Sequence, residues 1–175
     1  MNFKRILKMK DENPKKEEGQ TPQVPEGLLK KCRFCKEPIL ASEVRVLHYT
    51  CPKCGGYFRM HALRRIDMIT DAKSFIPLFT GLPLQNPLGL SEYPAQVAAC
   101  QEKTHLEEAV VTGEAKINGQ RVALGIMDTR FLMASMGEIV GEKITRLVEY
   151  AGKEGLPLIL FTCSGGARMQ EGMVS

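Results

Sequence analysis

Four cysteines stand in two pairs, Cys32-Arg33-Phe34-Cys35 and Cys51-Pro52-Lys53-Cys54, with fifteen residues between the pairs. That is the C-x₂-C-x₁₅₋₂₀-C-x₂-C spacing of a zinc site. Each pair lets two thiolates reach one cation from a tight turn. Four thiolates fill a tetrahedral shell and leave no position for water, so a single Zn²⁺ held here is structural and not catalytic. Gly55 and Gly56 after the second pair suit the chain reversal such a knuckle needs. The competing reading is a redox dithiol or a set of unligated thiols; one pair arises readily by chance, two in register do not. His48 and His61 lie close by in the sequence and are read as surface residues, since a closed shell needs no fifth ligand.

A second arrangement with chemical content is Cys163-Ser164-Gly165-Gly166-Ala167-Arg168, directly after a run of apolar residues. Ligands in open α/β sheets gather at the carboxyl ends of strands. Two adjacent glycines there expose backbone N–H groups that no β-carbon shields, and a helix beginning near Met169 would add positive potential. Such a turn suits a developing oxyanion. An ordinary tight strand-to-helix connection would use the same glycines, and spacing alone does not choose between the two. Ser164 is a poor candidate for a hydrolase nucleophile, because Thr162 stands where the G-x-S-x-G elbow needs its first glycine. Cys163 has no evident histidine partner and is read as packed. No G-x-x-x-x-G-K-[ST] phosphate loop is present.

The elements that must position these residues are legible in the second half of the chain. Val111, Gly113, Ala115 and Ile117 alternate with polar neighbours, Asn118-Gly119 supplies a two-residue turn, and Val122, Leu124 and Ile126 alternate again. This predicts a β-hairpin. Ser135-Met136-Gly137-Glu138 has the spacing of a capping box, and Ile139, Val140, Ile144, Leu147, Val148 and Ala151 share one helical face, which predicts a helix over 136–151. Gly152 and Gly155 can end it, and 156–163 is an apolar run of strand length. Strand, helix and strand make a βαβ unit with parallel strands. Upstream, 60–72 carries a short helical stripe read as a joint between two domains, 77–94 is broken by proline and glycine, and 95–104 resumes as a helix. The resulting division is a flexible tail over 1–26, a cysteine-bearing unit over 27–60, a linker helix and connection over 61–94, and an α/β domain over 95–175.

Composition narrows the function classes. The 175 residues are 43% hydrophobic and 25% charged, a globular mixture. The densest apolar stretch falls far short of the roughly 20 residues needed to span a bilayer, so no membrane role is expected. The N-terminus lacks the apolar core and cleavage site of a secretory signal. A cytoplasmic location is therefore expected, where reduced thiols favour metal ligation over disulfides. A net charge of +4 is too mild to argue for nucleic acid by itself. The cysteine unit and the residues just after it nonetheless carry Lys30, Lys31, Arg33, Lys36, Arg45, Lys53, Arg59, Arg64 and Arg65, interrupted by Glu37 and Glu43, and nucleic-acid binding by the ribbon stands as the alternative reading.

Several stretches match one family in order: Cys51-Pro52-Lys53-Cys54-Gly55, Glu108-Ala109-Val110-Val111-Thr112-Gly113, Ser135-Met136-Gly137, Val140-Gly141-Glu142-Lys143-Ile144, and Ser164-Gly165-Gly166-Ala167-Arg168-Met169-Gln170-Glu171-Gly172. From about Gly27 onward the chain resembles the carboxyltransferase β subunit of bacterial-type acetyl-CoA carboxylase. The resemblance implies an α/β fold in which a four-cysteine zinc ribbon precedes a crotonase-like domain, working with an α subunit as a heterotetramer. It implies transfer of a carboxyl group from biotin, on the biotin carboxyl carrier protein, to acetyl-CoA, giving malonyl-CoA for fatty-acid synthesis. It also assigns roles. Gly165 and Gly166 would supply backbone oxyanion donors, helped by the Ala134 and Ser135 backbone after a strand end at residues 131–133. Lys143 and Arg168 would be candidates for substrate contact, with surface salt bridging the alternative for Lys143. The family usually has glycine at the position of Ala134 and a His-His pair at Gly55-Gly56. Its members continue about as far again beyond Ser175, so the crotonase layer here is expected to be incomplete, an inactive fragment on its own. An apolar edge at 158–161 is expected to be left bare.

Overall fold

A computed structural model describes residues 27–175, so the tail expected over 1–26 lies outside the described residues. The chain divides into two units with the boundary between Gly56 and Tyr57.

In the first unit, β1 (Leu29–Lys31) and β2 (Pro38–Leu40) pair antiparallel, and α1 (Ala41–Val46) follows at once. The hairpin loop is the first cysteine knuckle. The second knuckle repeats its geometry: the Lys36 N–H donates to the Cys32 carbonyl at 3.0 Å, and the Gly55 N–H donates to the Cys51 carbonyl at 2.9 Å. The residue after each pair is left-handed, Lys36 at φ 63° and Gly55 at φ 71°. Glycine meets that demand without strain in the second knuckle, whereas in the first a lysine accepts it. Ile39, Val44 and Tyr49 are buried in this unit, as are Cys32 and Cys51.

The second unit is built on a sheet in the order β3-β4-β5-β6: β3 (Ile76–Pro77), β4 (Val110–Ile117), β5 (Gln120–Met127) and β6 (Leu158–Phe161). The hairpin β4–β5 closes through Asn118 and Gly119, at φ 50° and 79°, the paired positive angles that a two-residue hairpin turn favours. Asp71 holds that turn from outside, its carboxylate accepting from both N–H groups at 3.0 and 2.8 Å. The pair β5–β6 is parallel and joined by α4 (Glu138–Glu154), the expected βαβ unit.

Alternation along β5 sends its side chains to two faces. Val122, Leu124 and Ile126 pack with Ala62 and Ile66 of α2 (Ala62–Ile69). Ala123 packs with Leu147 and Ala151 of α4. The helix expected to join two domains is thus one of the layers covering the sheet. Gly125 is needed on the α4 side, where an added β-carbon would stand 2.6 Å from Leu160 and 3.1 Å from Leu147. A third cluster gathers α3 (Tyr93–Thr104) through Tyr93 and Val97 with Val110, Met127, Phe131 and Val140. The edge strand β6 is less protected, as expected, with Leu158 and Leu160 36% and 37% exposed. Helix α4 starts later than its pattern suggests, and the expected capping box does not form. Gly137 is the N-cap and no side chain of the box bonds to the helix end. The cap comes instead from Glu171, far along the chain, whose carboxylate accepts from the Glu138 N–H at 2.5 Å. Gly155, left-handed at φ 63°, terminates the helix as its position implied, while Gly152 lies inside it.

Candidate functional site

The four cysteines converge as their spacing required. The four sulfurs lie within 4.8 Å of one another, with Cys32 and Cys54 3.7 Å apart and Cys35 and Cys51 3.8 Å apart. A disulfide needs about 2.05 Å, so these are separate thiols. Zn–S bonds of about 2.3 Å in a tetrahedron place sulfurs about 3.8 Å apart, and the four can hold one such ion. Their electrostatics point the same way. Burial opposes the Cys32 thiolate, yet the backbone N–H groups of Cys35 and Phe34 and the adjoining thiols outweigh it and bring its pKa down to about 6. At Cys35 the Glu37 N–H favours the thiolate, but burial and the other three sulfurs drive the pKa up to about 12. One thiolate forms readily and then suppresses its neighbours. A cation at the centre removes that conflict.

The second arrangement is made by two loops at the carboxyl ends of the parallel strands β5 and β6. Residues 128–137 follow β5 and residues 162–168 follow β6, and they lie side by side. The Met136 N–H donates to the Gly166 carbonyl at 2.9 Å, the Arg168 N–H to the Met136 carbonyl at 2.8 Å, and the Gly165 N–H to the Met133 carbonyl at 2.9 Å. Residues 131–133 are not the strand end expected. Leu132, Met133 and Ala134 form a tight 3₁₀ turn at φ 40°, 57° and 55°, three successive non-glycine residues in the left-handed region. Backbone strain of this kind concentrates at functional sites. Gly165 permits the contact, since a β-carbon there would meet the Met133 carbonyl oxygen at 3.1 Å and its Cβ at 3.2 Å. Gly166, at φ 109°, adopts an angle that favours glycine. The segment after it is a 3₁₀ helix, Met169–Val174, kinked at Gly172, in place of the α-helix expected.

All four expected oxyanion donors sit in these loops, but each already has an acceptor inside the chain. The Ala134 N–H donates to Phe131 at 2.7 Å and the Ser135 N–H to Leu132 at 3.1 Å, as Gly165 does to Met133. Gly166 differs. Its N–H donates to the Ser164 hydroxyl at 3.0 Å, an acceptor that a side-chain rotation can remove.

Arg168 is not placed to touch a ligand. It is fully buried, and its guanidinium is saturated from within. It donates twice to Glu108, at 2.6 and 2.7 Å, to the Ser135 carbonyl at 2.8 Å and hydroxyl at 3.2 Å, to the Tyr93 hydroxyl at 3.3 Å and to Glu171 at 3.4 Å. Burial disfavours its charge, but Glu108 more than compensates and raises its pKa. The Tyr93 hydroxyl donates in turn to Glu171. Burial, aided by that carboxylate, pushes the Tyr93 phenol up to about 12. Glu108, Tyr93 and Glu171 were not singled out from the sequence. Both acids lie inside the matched motifs, but nothing in their spacing shows that they share one arginine.

Lys143 is buried and not at the surface; its ammonium lies 3.9 Å from the Glu107 carboxylate, and burial lowers its pKa. It lines a small cavity of about 200 Å³ with Phe79, Leu82, Val97 and Glu108. Cys163 is half-buried, and burial raises its thiol pKa, which suits packing and not nucleophilic attack. Among the described residues no helix is long and apolar enough to cross a membrane.

Residues 59–175 match the carboxyl transferase domain family. The chain is 46% identical over 165 residues to the acetyl-coenzyme A carboxylase carboxyl transferase subunits beta/alpha of Natranaerobius thermophilus, a match over 94% of this chain and 27% of that protein. It therefore spans about a quarter of the length of that relative. Among solved structures it resembles two of the transcarboxylase 12S hexamer core, one with methylmalonyl-coenzyme A and methylmalonic acid bound and one with hydrolysed methylmalonyl-coenzyme A. Each is 28% identical and covers 66% of this chain and 21% of the other, with TM-scores of 0.52 and 0.53.

Proposed function

This chain belongs to the carboxyl transferase domain family, and from that premise we propose that it is the β-type part of an acetyl-CoA carboxylase carboxyltransferase, moving a carboxyl group onto acetyl-CoA to give malonyl-CoA in fatty-acid synthesis. The observation that supports this reading is the pair of loops at the strand ends, with Gly165-Gly166 docked on the left-handed turn at Leu132–Ala134. Carboxylation at the carbon beside a thioester would break a C–H bond there and the N–C bond that holds the carboxyl group on its donor, pass the proton to the ureido group so released, form the C–C bond to the carboxyl carbon, and place transient negative charge on the thioester oxygen in between. An N–H donor preorganised for that oxygen contributes about 3–4 kcal/mol.

Gly166 is the donor best suited to the task, because rotation of Ser164 frees its N–H while Gly165, Ala134 and Ser135 stay tied to carbonyls and hold the turn. Biotin on a carrier protein would supply the carboxyl group, and an α-type partner in a heterotetramer would complete the site, in a cytoplasmic assembly. The four-cysteine cluster would hold one zinc ion with a structural role. The test is malonyl-CoA-dependent carboxylation of free biocytin by the chain together with a purified α-type partner. Transfer that requires both proteins and falls with Gly166→Ala is the expected result. No transfer with the partner present, in a preparation that holds its zinc, would sink the reading.

A further inference from the structure

Beside the glycine turn, at the carboxyl ends of β5 and β6, lies a cleft of about 320 Å³ lined by Arg59, Met60, Arg65, Met127, Phe161 and Cys163. That volume falls at the lower end for small-molecule sites. Its charge is one-sided. Neither Arg59 nor Arg65 makes an ion pair within 4 Å among the described residues. The acid at the end of β5, Asp128, is already engaged: it accepts from the Ala62 N–H at 2.8 Å and pairs with Arg130 at 2.7 Å. The cleft therefore keeps the charge of two guanidinium groups.

Arg65 is also held in place. It lies on α2, which is anchored through buried Ala62 and Ile66, and its guanidinium sits 4.8 Å from the centre of the Phe161 ring at the end of β6. A guanidinium over a ring does not spend its N–H groups on that contact, so they stay available for the two oxygens of a carboxylate or phosphate. A half-buried arginine laid on an aromatic ring, with no carboxylate to satisfy it, is a fitting anion seat.

We propose that Arg59 and Arg65 form an oxyanion subsite that seats a charged group of the substrate while its reactive end reaches the turn at 163–166. This rests on the thioester reading above, and the charged group is either a carboxylate on the acyl part or a phosphate of the coenzyme part. Isothermal titration of the zinc-loaded chain with malonate and with pyrophosphate as bare anions, and with acetyl-CoA and malonyl-CoA as thioesters, tests it in wild type, Arg59→Gln, Arg65→Gln and Arg65→Lys. Loss of a charge-assisted hydrogen bond corresponds to about tenfold in affinity. The expected result is that wild type binds at least one bare anion, each Gln variant binds it about tenfold more weakly with an unchanged melting temperature, and Arg65→Lys recovers part of the loss. A malonyl-CoA affinity that falls more than that of acetyl-CoA identifies the carboxylate as the seated group; equal losses identify the phosphate. Arginine-dependent anion binding with no thioester binding would leave the subsite standing and defeat the thioester reading. A wild type that binds neither anion, or Gln variants that bind both as well as wild type, overturns the subsite.

Discussion

Replacing Arg168 by Gln should be among the most destabilising single changes in the second unit. The side chain is 0% exposed, and Glu108 and Glu171 beside it are each 1% exposed. Its removal strands two carboxylates in the interior with no cation between them and frees the Ser135 carbonyl of a partner. Removing one member of a buried ion pair costs about 3–5 kcal/mol, mostly because the group left behind keeps an uncompensated charge. For a unit of this size that corresponds to a fall in melting temperature of roughly 10–20 °C. The damage should be local as well as global. The network joins the start of α3 (Tyr93), the approach to β4 (Glu108), the loop after β5 (Ser135) and the segment after the glycine turn (Glu171), so amide exchange should accelerate at 164–172 and at the first turn of α4, which Glu171 caps. Arg168→Lys should fall in between, since an ammonium cannot serve both Glu108 oxygens and the Ser135 carbonyl from one position. Thermal denaturation with hydrogen exchange on wild type and both variants is the assay. A drop of under about 3 °C for Arg168→Gln, or exchange at 164–172 unchanged, would refute the claim that this arginine holds the turn.

Cys54→Ser should lose bound zinc and unfold the first unit, because in such small domains the metal-binding energy, about 10–16 kcal/mol, is also folding energy; full metal content by elemental analysis in the variant would contradict the site. Glu114 is paired with Arg121 at 2.7 Å and bonded by Tyr150, and Arg121 above all brings its pKa down to about 2 from an ordinary 4.5. Its folded-state pKa lies below its unfolded value, so its stabilisation is present above pH about 4.5 and is lost as pH falls toward about 2. Glu114→Gln should flatten the acid limb of the melting-temperature profile in that window, and an unchanged limb would count against the pairing. Lys143→Met should raise stability by about 1 kcal/mol, since burial already disfavours its ammonium and its only ion-pair partner among the described residues, Glu107, is 3.9 Å away and largely exposed; a lower melting temperature would show that the charge is needed in the core. Leu160→Lys should reduce self-association of the chain in light scattering by placing a charge on the exposed edge strand; scattering equal to wild type would place the sticky surface elsewhere.

The features that spacing alone encodes were legible in the sequence. Two Cys-x-x-Cys pairs bring four sulfurs within reach of one ion because each turn is local and its geometry follows from a few residues. The hairpin at Asn118-Gly119, the apolar face of α4 and its stop at Gly155 rest likewise on contacts within a short stretch, so periodicity and turn chemistry identified them. What the sequence could not state was which distant groups satisfy one another. Ser135 and Glu138 carry the local signal of a capping box, yet Glu171 takes the helix end, because the fold lays the segment after β6 against it and a carboxylate from outside reaches the free N–H group. The same proximity turns Arg168, which looked like a ligand-binding side chain, into the centre of a buried network with Glu108, which lies 60 residues away. The helical stripe over 60–72 reads as a joint between two domains from its spacing, and only the sheet, against which Ala62 and Ile66 pack, makes it a covering layer. Cysteine spacing, turns and amphipathic faces are local quantities and belong to the sequence. The pairing of buried charge and the availability of each N–H group at the glycine turn depend on through-space contacts, and only the tertiary structure decides them.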